Sequence, residues 1–212
     1  MATAIVLAEV QVATVVRRIN RLGLTVSATK TQAVAFAKGR ERRGWATQSP
    51  CLRVGGEAVA ISAHIQYLGI TLDAQLNFRE HFAREETKVA KSTRALFRLM
   101  PNLRGPTEQR RRLYAEVIYA IILYGAPAWS DATSNRAVKR RLQRMQRKVQ
   151  IRVASAYRTV LLVAASMLTR SPPLDLVAKT RARTFQSLRE QQSARRTDTA
   201  STRALAAWNG QL

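Results

Sequence analysis

Acids, histidine and cysteine are all scarce in this chain, and each shortage removes a class of function. Only 13 Asp and Glu stand against 36 Lys and Arg in 212 residues, for a formal charge of +23. Cys51 is the single cysteine, so no intramolecular disulfide can form, and the reducing interior of a cell is the natural compartment. His64 and His81 add too few ligands beside it for a zinc site. Long apolar runs are missing as well. The longest uncharged one, Val117 to Trp129, is interrupted by Gly125 and Pro127 and falls short of the roughly 20 residues that span a bilayer. It reads as a buried helix. The N-terminal stretch has no basic leader and contains Glu9, which argues against a secretory signal.

What is present is charge of one sign on a chain apolar enough to fold. Hydrophobic residues make up 46% and charged residues 23%, as in folded soluble proteins. A chain of this length can bury roughly 70% of its unfolded surface, enough for one core or two small ones. A pI near 11.7 points to a polyanionic partner, because solubility alone needs far less charge. Nucleic acid is the first candidate and an anionic membrane surface the second.

Hydrophobic periodicity divides the chain. Ile5, Leu7, Val12, Val15, Val16, Ile19 and Leu22 predict a strand remnant leading into a helix, with Gly23 as its C-cap. Val34 and Phe36 alternate in a short strand over 32–37, before a polar loop from Lys38 to Ser49. Leu52, Val54, Val59 and Ile61 flank a Gly55-Gly56 hairpin signal, and Ile65, Tyr67, Leu68, Ile70 and Leu72 continue the strand pattern to Asp73. So few strands need a helical layer or further strands to cover them.

Beyond Asn77 the pattern turns helical. Over 78–100, Phe82, Val89 and Leu96 share one face, opposite Arg84, Lys88, Lys91 and Arg98, with Arg94 nearby. After a break at Pro101 to Pro106, a very apolar helix from about Thr107 to Tyr124 is expected at the centre of a bundle. A helix beginning near Asp131 sets Val138, Leu142, Met145, Val149 and Val153 against Arg140, Arg144 and Arg147, followed by Lys148. A short helix is expected at Leu161 to Leu168, and Pro172-Pro173 opens another, running to about Gln192. A polar tail from Ser193 has only Leu205 and Trp208 as anchors.

Five short motifs stand in order along the chain. They are Gly23-Leu24 with Lys30-Thr31; Tyr67-Leu68-Gly69-Ile70 with Leu72-Asp73; Leu123-Tyr124-Gly125 with Trp129; Gln146-Arg147 with Ala156-Tyr157-Arg158-Thr159; and Pro172-Pro173-Leu174-Asp175-Leu176. Each alone is weak, but their order and spacing resemble the reverse transcriptases of non-LTR retrotransposons, jockey-like and related insect elements, over residues 2–190. The resemblance implies an α+β fold. A short palm-type strand region with a primer-grip-like turn (1–76) is followed by a mostly α-helical thumb bundle (77–192) and the polar tail (193–212). It also implies an RNA-directed DNA polymerase, an RNA template and a DNA primer as partners, no membrane, and a nuclear or cytoplasmic location.

Two departures qualify it. Met1-Ala2 stands where the family carries an Asp-Asp pair, and Val160-Leu161-Leu162 follows Thr159 where Ser and a small or acidic residue are usual. The expectation is an interior piece of a longer polyprotein, with upstream polymerase segments missing. It holds no catalytic residue, no metal site and no cofactor of its own, Mg²⁺ belonging to the complete polymerase. Glu85-Glu86 does not supply the missing pair, since neighbours on a helix point about 100° apart.

The surviving function is nucleic-acid binding. By resemblance Lys30 sits near the incoming nucleotide; a solvated loop lysine is the other reading. The Tyr67 to Gly69 turn would hold the primer backbone, glycine allowing close approach to phosphate. An ordinary hairpin with Tyr67 and Leu68 packed inward is its alternative, favoured for Leu68. The basic faces, Arg84, Lys88, Lys91 and Arg98 and then Arg140, Arg144, Arg147 and Lys148, are candidate phosphate contacts. Trp129, Tyr157 and Trp208 offer stacking surfaces, but Trp129 and Tyr157 are expected in the core. An independent basic helical nucleic-acid-binding module without enzymatic activity remains the competing class.

Overall fold

The structure, a computed structural model, describes residues 2–36, 51–101 and 105–209. It divides into two compact units, Met1–His81 and Phe82–Leu212, with an α+β composition: strands confined to the first unit, helices filling the second.

The first unit opens on helix α1, Ala2–Arg21, with no strand before it. The half-buried positions Ile5, Ala8, Val12, Val16 and Ile19 keep a continuous helical period, while Leu7, whose alternation with Ile5 suggested a strand, is exposed, as is Val15. Glu9 faces the sheet and accepts a hydrogen bond from the Arg53 amide at 3.0 Å. Strand β1 is only Ala33–Val34, and Phe36 lies outside it, exposed. The loop expected from Lys38 to Ser49 falls outside the described residues.

Strand β2, Cys51–Val54, pairs antiparallel with β3, Glu57–Ser62, and β3 pairs parallel with β1. Gly55 and Gly56 have φ of +61° and +94°, the two positive values that the two-residue hairpin turn demands. A second hairpin joins β4, His64–Tyr67, to β5, Ile70–Asp73. Asp73 then organises the exit from β5. One carboxylate oxygen accepts the Phe78 amide at 2.7 Å and the other accepts those of Gln75 and Asn77. This offsets the strain of Leu76 and Phe78, both at positive φ. Asn77 in turn accepts the Arg79 amide, where helix α2, Arg79–Arg98, begins.

The second unit holds most of α2, then α3 (Glu108–Ile122), α4 (Ala126–Trp129), α5 (Arg136–Val153), α6 (Leu162–Thr169) and α7 (Leu174–Asn209). Trp129 is fully buried, its indole edge-on to Phe82 with ring centroids 4.9 Å apart and its N–H donating to the Tyr124 carbonyl. Val138, Leu142, Met145, Val149 and Val153 are all buried, so the α5 stripe is core.

Several boundaries differ from expectation. Helix α5 starts at Arg136 rather than near Asp131, because Asn135 caps it through the Ala137 amide and residues 130–134 form a 3-10 turn. Helix α7 continues through Asn209 with no break at Gln192. Helix α3 is one-sided: Ala115, Ile118, Tyr119 and Ile122 are buried while Leu113 and Val117 are exposed, which puts it at the edge of the bundle.

Tyr119 carries a buried hydroxyl with no hydrogen-bond partner. Burial pushes its pKa up to about 12; Ser171 and Gln150 lie close enough to temper the rise without reaching hydrogen-bond geometry, and Glu116 adds to it. Between pH 10 and 12 the unfolded phenol ionises while the folded one stays neutral. The folded state then holds the extra proton, so stability falls as pH rises through that window, by about 2–3 kcal/mol in all. Tyr119→Phe removes an unpaired polar atom and should be neutral or raise stability by about 1–2 kcal/mol. Its stability should also decline less steeply above pH 10, as followed by thermal melts across pH. A clear loss of stability would show that the hydroxyl has a partner.

Candidate nucleic-acid interface

The α5 core stripe fixes the rotation of that helix and thereby aims its cations. With Val138, Leu142, Met145 and Val149 turned inward, Arg140, Arg144 and Lys148 are exposed on other sides. Arg144, Lys148 and Arg152 follow one another at four-residue spacing and form a single row. On α2, burial of Phe82, Val89 and Thr93 fixes the rotation in the same way. Arg94 and Arg98 then join Lys148 and Arg152 around a groove of about 440 Å³ floored by Val89, Ala90, Phe97 and Met145. The Arg152 guanidinium stacks over the Phe97 ring, 5.0 Å from its centroid. Two further concavities run along α5, of about 580 Å³ beside Lys148, Arg152 and Arg158 and about 520 Å³ beside Arg140, Arg141 and Arg144.

The predicted residues therefore separate. Arg98 and Lys148 share the groove, whereas Arg84, Lys88 and Lys91 are exposed farther round α2 and do not line it. Lys88 is 3.5 Å from Glu85 and Arg144 is 3.9 Å from Glu86, so the two adjacent glutamates are drawn to different cations. Arg147 has a different task. It is half-buried, and its guanidinium donates to the carbonyls of Val160, at 2.9 Å, and Arg158, which holds the chain between α5 and α6.

In the first unit, Lys30 is exposed at the end of a 3-10 turn, Ala28–Lys30. The Tyr67–Gly69 turn is a tight hairpin but not an inward-packed one: Tyr67 is 60% and Leu68 73% exposed. The β4–β5 ladder closes on the Tyr67–Ile70 pair, leaving Leu68 (φ 46°) and Gly69 (φ 81°) at the tip, out of reach of any core. Tyr157, expected in the core, is 85% exposed because α5 has ended before it.

Reading the sequence alone overlooked Arg152, although its place in the Arg144, Lys148, Arg152 row was a signal. It also gave no part to three buried polar residues, Arg111, and Gln146 and Asp175 from the motifs. Arg111 donates to the carbonyls of Pro101, Pro106 and Arg152. Gln146 bridges the Pro172 carbonyl and the Leu174 amide, occupying an orphan N–H at the start of α7. Asp175 is paired with Lys139 at 2.9 Å.

An α+β protein with a strand-built first unit and cations ordered along a helical second one is what these elements define, and its sequence relatives are retrotransposon proteins. The chain is related to proteins encoded by type-1, non-LTR retrotransposable elements. It is 33% identical over 159 residues to a 115 kDa protein of the element R1DM of Drosophila melanogaster, a match covering 74% of this chain and 15% of that protein. It is 29% identical over 163 residues to the retrovirus-related Pol polyprotein of element R1 of Bradysia coprophila, covering 76% of this chain and 16% of the polyprotein. The chain thus spans about 15% of the length of either relative. No family model matches it, and neither does any solved structure. Among the described residues no helix is long and apolar enough to cross a membrane.

Proposed function

We propose that the chain is the palm-edge and thumb region of a retrotransposon RNA-directed DNA polymerase and that its task is to grip RNA template and DNA primer by their backbones. The observation that carries this reading is the exposed cation row of α5, backed by core and faced by Arg94 and Arg98 across a groove. Core packing orients these charges before any ligand arrives, which lowers the ordering cost of binding. Backbone contacts position a duplex without reading its sequence. Lys30 and the Tyr67–Gly69 turn, both exposed, extend the same role to the incoming nucleotide and primer end.

The catalytic carboxylates, and the Mg²⁺ they would hold, are assigned to polymerase segments outside this chain. Glu85 and Glu86 support that division, since each is engaged with a cation and the pair does not converge. The test is binding of the full chain to an RNA–DNA hybrid, followed by fluorescence anisotropy across a salt series. With about five phosphates neutralised, log affinity should fall with log salt at a slope near −4, between the single-strand and duplex limits. A slope near zero would sink the reading. Primer extension restored by joining the chain to an upstream palm segment, and lost when Lys30 is replaced, would extend it to the whole enzyme.

A further inference from the structure

Helix α6 carries no charged side chain, and neither does the stretch that flanks it between Arg158 and Arg170. Its inner side packs on α5: Ala165 and Thr169 are buried, and the Ser166 hydroxyl donates to the side-chain carbonyl of Gln150 at 3.1 Å. The outer side is equally apolar. Leu161, at the N-cap, and Met167 are each 73% exposed, and Val163 and Leu168 are exposed beside them. Leu161, Ala164 and Leu168 follow at helical spacing, as do Val163 and Met167, so the exposed side chains form one stripe. Single exposed apolar residues are ordinary, but a helix that is apolar all round is normally covered on every side.

We infer that the outer face of α6 docks an acidic amphipathic helix of a partner protein, its apolar side against the stripe and its carboxylates toward the surrounding arginines. Two observations choose that occupant. The stripe lies in a wholly basic stretch, since residues 132–174 contain no Asp or Glu and the exposed Arg158 and Arg170 bracket it. Alongside, Arg140, Arg141 and Arg144 of α5 and Leu162 of α6 line one trough of about 520 Å³. A rod with an apolar face and acidic edges matches both, in the manner of helix-in-groove recognition with an apolar centre and a polar rim. Arg141, Arg158 and Arg170 lie outside the row assigned to phosphates, which leaves them for carboxylates. Other occupants match only part of the surface. A nucleic-acid strand would meet the arginines but leave the aliphatic stripe uncovered, because bases stack on rings and the stripe has none. A second copy docked face to face would bring cations against cations. A bilayer is flat and would leave the trough unfilled, and α6 lacks the basic polar face of its own that interfacial helices carry.

The probe is a synthetic helical peptide of about 16 residues, roughly four turns, with a leucine stripe and glutamates elsewhere. It is compared, on the full chain, with a peptide of the same composition in scrambled order. The striped peptide should bind about tenfold more tightly at equal salt slope. Met167→Ser with Leu168→Ser, both at exposed positions, should erase that preference while the scrambled peptide and an RNA–DNA hybrid bind as before. Arg158→Gln with Arg170→Gln should instead weaken both peptides and flatten their salt dependence. Circular dichroism follows folding, and Val163→Ser, one turn away, repeats the test if the double change unfolds the chain. Equal affinity for the two peptides, or a preference that survives the α6 variants, overturns the docking site. Self-association, hybrid binding or attachment to anionic vesicles that is lost with the same variants overturns it too, and gives the face to a second copy, to nucleic acid or to a membrane. A hybrid that fails to bind the unaltered chain, with the peptide preference intact, sinks the template grip and leaves this site standing.

Discussion

Arg111→Ala should destabilise the protein by about 3–5 kcal/mol, the largest effect expected of any single change. The side chain is only 4% exposed, and its three hydrogen bonds go to the carbonyls of Pro106 at 2.9 Å, Arg152 at 2.9 Å and Pro101 at 2.6 Å. Two of these belong to the connection between α2 and α3, and the third to the last turn of α5, where unpaired helix carbonyls and the helix dipole favour a cation. Truncation removes the donor from the Pro101 and Pro106 carbonyls, while the Arg152 carbonyl keeps the Ser155 amide at 3.3 Å. Each buried acceptor left unpaired costs about 1–3 kcal/mol. Arg111→Lys should recover less than half of the loss, because an ammonium cannot reach three divergent carbonyls as a planar fork does. Gly105 supports the same account, since a Cβ there would lie 2.5 Å from the Arg111 guanidinium and 2.2 Å from the Pro101 carbonyl. Urea unfolding is the measurement. A midpoint unchanged by Arg111→Ala would mean that water replaces the guanidinium.

What was legible in the sequence was whatever repeats with a helical or strand period. Val138 to Val153 announced α5 and its buried side, Gly55-Gly56 announced the β2–β3 hairpin, and the turn at Tyr67 to Gly69 came from the family resemblance. The cation row was legible for the same reason, because a core stripe on one side dictates what lies on the other. Arg111 was not. It stands in Arg110-Arg111-Arg112, three identical letters, of which Arg112 pairs with Glu108 at the surface. Only the carbonyls that arrive from α5 and from the preceding connection set the middle one apart. The burial of Thr93 and the bridging part of Gln146, a residue quoted only as a motif letter, were hidden likewise, since a polar residue on a buried stripe reads as an interruption until its partner, or its lack of one, is seen. The length of α7 was missed for the opposite reason. Past Gln192 it has no apolar stripe to announce it, only good helix formers such as Ala194, Arg195, Ala204 and Ala206. The motif order, finally, revealed the retrotransposon relationship, but motifs say nothing of which charges share a groove.

Replacing Arg140, Arg144 and Lys148 together with glutamine should weaken binding to an RNA–DNA hybrid on the order of 10²-fold at physiological salt and flatten the salt slope by about 2 to 3. All three are exposed, and the Arg144–Glu86 pair at 3.9 Å is a surface contact worth at most about 1 kcal/mol, so the fold should survive the change. Arg147 is left intact because it holds the carbonyls of Val160 and Arg158, and its loss would confuse a binding defect with a local unfolding. The decisive control is Arg84, Lys88 and Lys91 changed to glutamine on α2. That triple alters net charge by the same amount but lies on α2, off the α5 row, and none of its residues lines the groove that Lys148 lines. If binding depended on net charge alone, both triples would cost the same. A loss at least tenfold greater for the α5 triple, with a correspondingly larger change in slope, identifies that helix as the surface that follows the phosphates. Equal losses would assign the binding to the diffuse field of a +23 chain and remove the reason for placing template and primer on α5.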